Sequence, residues 1–296
     1  MNESTVNNLR QKEVMKVQNG MNHTLIEVLL GILALIFLAL FIVFLCLYIH
    51  EKKKNKTCKE IIQPEPYRPT DSQYIPIKEN IDDEGASEYR EQYDIPNSKY
   101  FKSLDIYNMK SSGSLILLEK FKTYQQTSAY SCGCASLIMS IYYLDGTLIG
   151  EQDCTNKAKT DHHNGTLPKN LEDTISQYGY DYESKNKGFN EDEVPSYDEE
   201  QFSEYIKNSL KNNESIIILS NDWGGHYTVV IGYDDMGTDD VTDDVVIIAD
   251  PYDTSDHMDD GYTIWSYERL YSQMPIEVFG IPDNNYYFIK VKRKTS

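Results

Sequence analysis

The sequence predicts an α+β domain in which a helix packs on an antiparallel sheet, preceded by a single transmembrane helix. Three observations lead there. Helical periodicity is concentrated between residues 132 and 211. From residue 216 onward, β-branched and aromatic runs separated by turn residues take over. Helices first and strands afterwards is the α+β pattern, because strict alternation would instead signal a parallel sheet. Ahead of both, the 22 residues 28–49 carry no charge.

That run comes first in the chain, after a tail over 1–24. At about 1.5 Å per residue a helix of this length spans about 33 Å, close to the roughly 30 Å hydrocarbon thickness of a bilayer. A cleaved signal peptide has an apolar core of about 7–15 residues and ends in small side chains. Here the run is longer and closes on Phe44, Leu45, Cys46, Leu47, Tyr48 and Ile49. Residues 25–49 are therefore expected to be a retained anchor with the lipid bilayer as partner. Lys52, Lys53, Lys54, Lys56 and Lys59 follow it closely, whereas Arg10, Lys12 and Lys16 lie farther off on the other side. The positive-inside rule then favours a cytoplasmic C-terminal side of a cell-membrane protein.

Residues 50–113 are polar and carry Pro64, Pro66, Pro69, Pro76 and Pro96. Such a composition buries too little apolar surface to offset ordering entropy, so this segment reads as a stalk. The domain proper is expected over 114–296. Residues 115–118 read as a short strand. Leu137, Ile138, Ile141 and Leu144 are spaced for a helix over 132–144 that stops before Asp145-Gly146. Further helices are expected at 168–177 and 199–211, and strands at 216–219, 227–233, 245–249 and 286–291.

Composition narrows the function. There are 47 acidic against 28 basic residues, a formal net charge of -19. Phosphate binding needs clustered Lys and Arg, so no nucleic-acid partner is expected. The five cysteines, Cys46, Cys58, Cys132, Cys134 and Cys154, have neither disulfide-framework nor zinc spacing. The acidic stretch 239–244, with Asp253, Asp256, Asp259 and Asp260, does not fit the EF-hand calcium loop and reads as a solvated turn. No metal and no cofactor are expected. What remains is room for a reactive thiol.

Cys132 is the candidate. A thiolate is favoured by a helix N-terminus and by an adjacent imidazolium, and Cys132 sits where its helix should begin. Gly133 beside it leaves space for a substrate. Acyl transfer also needs donors aimed at the developing oxyanion. Gln126, six residues earlier, and the Cys132 amide could supply them, with Gln125 the neighbouring alternative. Among six histidines, His226 alone opens a strand-like run directly after Gly224-Gly225. Asp250 ends the next such run and would fall near His226 if the two strands are hairpin neighbours. Asp234 and Asp222 are weaker candidates. An imidazole so placed needs a carboxylate to fix its tautomer.

The order Gln126, Cys132-Gly133, Gly225-His226-Tyr227, Gly232-Tyr233-Asp234 and Asp250-Pro251 resembles the double-glycine, bacteriocin-processing branch of the papain-like cysteine peptidases, over roughly residues 115–290. The resemblance implies a papain-like fold and a peptide or protein substrate, with peptide leaders as the class its members process. It assigns oxyanion donor, nucleophile, base and acid to Gln126, Cys132, His226 and Asp250. Known members often precede an ATP-driven exporter, but this chain carries no Gly-x-x-x-x-Gly-Lys-[Ser/Thr] phosphate loop, so an exporter would be a separate partner. The same triad also serves amidases and transpeptidases, and a non-catalytic tethered peptide-binding module is a third reading.

Overall fold

In the domain, the helices and strands expected from the hydrophobic pattern form in the computed structural model, which describes residues 10–16, 30, 32–33, 37–38, 40–46, 48, 67–88, 94–95, 98–184, 197–274 and 287–294. In chain order they are β1 (Leu115–Leu117), α1 (Cys132–Asp145), α2 (Glu151–Ala158), α3 (Pro168–Gln177), β2 (Asp181–Ser184), α4 (Glu199–Lys211), β3 (Ile216–Ser220), β4 (His226–Asp234), β5 (Val245–Ala249), β6 (Tyr262–Ser266), α5 (Tyr267–Gln273) and β7 (Tyr287–Lys292). The elements not anticipated are α2, β2, β6 and α5. They are short, and α2 turns only Glu151, Cys154, Thr155 and Ala158 inward, which leaves no apolar stripe to detect.

The seven strands form one sheet in the order β2-β7-β3-β4-β5-β6, with β1 also paired to β4, and every pairing is antiparallel. β4 is the centre. β3 pairs with its first half, β1 with Gly232–Asp234, and β5 runs along its other edge. Gly232 is needed there, since a Cβ would come within 2.8 Å of Leu117 Cδ1. α1 packs across β4, and Cys132 through Ile141 are all buried. Gly146, in the left-handed region at φ 80°, ends the helix. This is the α+β architecture, a helix packed on an antiparallel sheet, that the sequence predicts.

Of the stalk expected over 50–113, residues 50–66, 89–93 and 96–97 lie outside the described residues, and the described remainder packs on the domain. Met1–Pro64 and Glu65–Ser296 are separate compact units, so the C-terminal unit begins about fifty residues before the expected boundary. Tyr67, Tyr74, Ile75, Ala86 and Ile106 are buried in it. Main-chain bonds fasten the segment, among them Ile75 N–H to Thr123 O (2.9 Å) and Thr123 N–H to Gln73 O (3.0 Å). Its buried apolar residues are few and irregularly spaced and its backbone does the rest, so no period marks it. The anchor expected at 25–49 lies largely outside the described residues. Among those described, residues 40–46 are helical, and no helix is long and apolar enough to cross a membrane.

The acidic loop after β5 is corrected. Asp253, Asp259 and Asp260 are buried, not solvated. Asp253 accepts from Ser255 and from Gly261 N–H (3.1 Å), and Asp260 from Tyr262 N–H (2.9 Å). Burial, reinforced by the neighbouring carboxylates, pushes both carboxyls well up. Among the described residues no group of three or more His, Cys, Asp or Glu side chains could hold a metal ion.

Candidate active site

Cys132 is the first helical residue of α1. Ser131, at the N-cap, makes no side-chain bond to the first-turn amides. Its hydroxyl instead donates to Glu151 Oε1 (2.5 Å). The first-turn N–H groups, which a helix cannot satisfy internally, are thus left without a side-chain cap beside the thiol. Gly133 does not face substrate as expected. A Cβ there would lie 2.8 Å from Thr166 Cβ and 3.1 Å from Tyr227 Cδ2, so its role is close packing of α1 on the sheet.

His226 is the first residue of β4. Val229 pairs with Ala249, which carries the residue just past β5 back to the start of β4. Asp250 is that residue, and its Oδ1 lies 2.7 Å from His226 Nε2. The same Oδ1 accepts from Tyr252 N–H (2.8 Å). With Nε2 committed to Asp250, the nitrogen left free to serve Cys132, which lines the same cleft, is Nδ1. Burial alone would push the imidazole down. The Asp250 charge and its hydrogen bond, with a smaller contribution from the nearby Cys132 thiol, outweigh burial and raise the imidazole to about 10. Neither Asp222 nor Asp234 holds His226.

The two glutamines separate. Gln125 reaches away from the thiol: its Nε2 donates to Asp250 O (2.7 Å) and its Oε1 accepts from Asp253 N–H (3.2 Å). It fixes the loop that presents Asp250. Gln126 lines the cleft with Cys132 and His226. Its Nε2 gives one hydrogen to Ser128 O (2.7 Å), and its Oε1 is buried with no hydrogen-bond partner. Its backbone is pinned on both sides, by Gln126 N–H to Pro251 O (2.9 Å) and Ser87 N–H to Gln126 O (3.1 Å). Gly85 packs so closely there that a Cβ would fall 2.1 Å from Gln126 O.

The cleft above these groups has a volume of about 410 Å³. Trp223, Gly224, Gly225 and Tyr252 form one wall, and the loop His162–Gly165 forms part of the lining. Trp223 is 69% exposed and sits at φ 51°, its ring 5.3 Å from the His226 ring. A bulky residue in the left-handed region is a strained position. Cys134 is fully buried away from the cleft, 3.7 Å from Thr160 Oγ1 and beside Cys154, whose thiol burial pushes well up. Cys58 lies outside the described residues. Glu151 escaped the sequence reading. A glutamate opening a helix is its only local signal, and that describes many surface residues.

A family model for the Peptidase_C39 like family matches residues 118–275, just over half of the 296. No curated protein matches the sequence. Among solved structures, the chain is similar to the peptidase domain of Streptococcus ComA, a bi-functional ABC transporter involved in a quorum sensing pathway. That match has 18% identity and a TM-score of 0.39, over 59% of this chain and 99% of that one. A double glycine motif protease from an AMS/PCAT transporter, in complex with the leader peptide, matches at 16% identity and a TM-score of 0.38, over 58% and 91%. Xylellain, a cysteine protease from Xylella fastidiosa, matches at 15% identity and a TM-score of 0.36, over 77% and 99%.

Proposed function

This chain belongs to the Peptidase C39-like family, and we propose that it is a membrane-anchored cysteine peptidase working through Cys132, His226 and Asp250 with Gln126 as oxyanion donor. The observation that carries this reading is the convergence of Gln126, Cys132 and His226 on one cleft, with Asp250 bonded behind His226. Cys132 as thiolate attacks the peptide carbonyl, forming the S–C bond. The second N–H of Gln126 Nε2 and the Cys132 amide stabilise the oxyanion. His226, held protonated by Asp250, gives its proton to the leaving amine as the C–N bond breaks. His226 then takes a proton from water, whose hydroxide releases the acyl group and returns the thiolate.

The resemblance to double-glycine peptidases makes peptide leaders the substrate class, and the three glycines lining the cleft, Gly165, Gly224 and Gly225, let a substrate backbone approach closely. Membrane attachment rests on the uncharged run 28–49, and the lysines after it favour a domain on the cytoplasmic face. Leader removal there would precede export by a separate transporter.

The test is iodoacetamide labelling of the detergent-solubilised full-length chain between pH 5 and 8, located by mass spectrometry, with His226→Ala in parallel. Rapid labelling of Cys132 at pH 5–6 that disappears in His226→Ala is expected. A Cys132 that reacts like an ordinary thiol of pKa near 8.5 would sink the reading.

A further inference from the structure

We propose that Glu151 is a positioning residue that sets the spacing of the two oxyanion donors. The proposal rests on the peptidase reading above. Glu151 is wholly buried and no basic side chain reaches it among the hydrogen bonds and ion pairs of the described residues. Its carboxylate is instead spent on one loop, the stretch 124–131 between Thr123, to which the N-terminal extension is bonded, and the nucleophile. Oε2 accepts from Tyr124 Oη (2.8 Å) and Thr127 Oγ1 (2.6 Å). Oε1 accepts from Ser131 Oγ (2.5 Å), and both oxygens lie near Thr127 N–H, at 3.1 and 3.3 Å.

These donors bracket the machinery. Thr127 follows Gln126, and Ser131 precedes Cys132. One rigid carboxylate therefore ties the residue after the side-chain donor to the residue before the main-chain donor. It also draws the Ser131 hydroxyl away from the helix, where an N-cap serine would otherwise bond a first-turn amide. A buried carboxylate accepts more bonds, and stronger ones, than the amide of glutamine, which has one acceptor oxygen and presents N–H groups to donors. The loop's geometry thus depends on the charge at Glu151 and not merely on its volume.

The discriminating experiment is a double-mutant cycle on the full-length chain in detergent, with p-nitrophenyl acetate as probe. The burst of nitrophenolate reads formation of the Cys132 thioester, and this ester needs oxyanion donors but little recognition. Gln126→Ala should slow the burst by about 10²–10³-fold. Glu151→Gln should slow it by about 10–100-fold through misplacement. In the Gln126→Ala background, Glu151→Gln should add less than about threefold. Iodoacetamide labelling of Cys132 at pH 6, which needs His226 but no oxyanion, should stay near the wild-type rate in all three variants. Additive losses, a parallel fall in labelling, or an unchanged burst in Glu151→Gln would each overturn the proposal. If Glu151→Gln does not fold, Thr127→Val, which removes one of the donors, takes its place with the same expectations. A wild-type chain that labels rapidly yet gives no burst would overturn the positioning role alone. One that does neither would overturn the peptidase reading and the role with it.

Discussion

Replacing Asp250 by Asn tests the electrostatic core of the site through folding stability. Asn keeps the shape and an acceptor oxygen for His226 Nε2, and removes the charge. In the wild type the imidazole is raised from 6.5 to about 10, against burial, by Asp250 and Cys132. A group whose folded value lies above its unfolded value stabilises the fold fully below the unfolded value. That stabilisation is lost as pH climbs through the folded value. The window is therefore pH 6.5 to about 10. At about 1.4 kcal/mol per pH unit the contribution is at most roughly 5 kcal/mol near pH 6.5 and close to zero by pH 10. Both tryptophans, Trp223 and Trp265, lie in the C-terminal unit, so their fluorescence reports its unfolding in urea. The stability gap between wild type and Asp250→Asn should be several kcal/mol at pH 6.5 and should shrink steadily toward pH 10. Taking the difference cancels other titrations in that range. A gap that stays constant from pH 6.5 to 10 would refute the reasoning, because the buried contact would then not depend on a protonated imidazole.

Two further outcomes follow from packing. Gly85→Ala puts a Cβ against backbone atoms of Gln126, Thr127 and Ser128, which have no soft direction to yield. The urea midpoint should drop by an amount equivalent to about 1–3 kcal/mol, with a slower p-nitrophenyl acetate burst, and a wild-type profile would mean the extension does not brace this loop. Trp223→Gly should relieve the left-handed backbone and raise stability by up to about 1 kcal/mol, while raising KM for a fluorogenic Gly-Gly peptide. Loss of stability, or an unchanged KM, would remove Trp223 from the substrate wall.

Much of the site was legible because its signals are local. A helix start after Ser131, a strand opening at His226 and a carboxylate closing the following strand are each written within a few residues. Hairpin adjacency then brings His226 and Asp250 together with little freedom to do otherwise. The long apolar runs of β3, β4 and β5 and the period of α1 announce themselves in the same way, since burial on a regular element imposes a regular spacing. The six-residue spacing to Cys132 favoured Gln126, but what Gln125 does instead was not legible. Adjacent residues of an extended segment point to opposite faces, so Gln125 and Gln126 differ by one position, and only the Asp250–Asp253 loop settles which one is used for structure.

Glu151 and the extension from Glu65 onward belong to the second kind of information. A buried carboxylate looks like any surface glutamate until the four donors around it, from residues 20 to 27 positions away, are brought in by folding. The buried aspartates after β5 likewise look solvated until neighbouring amides enclose them. The sequence by itself determined the elements on which Cys132, His226 and Asp250 stand, a helix start, a strand start and a strand end, because each is fixed by short-range backbone preference. The tertiary structure alone decided which polar groups are buried and what they hold, because burial is a property of distant segments meeting and has no local period.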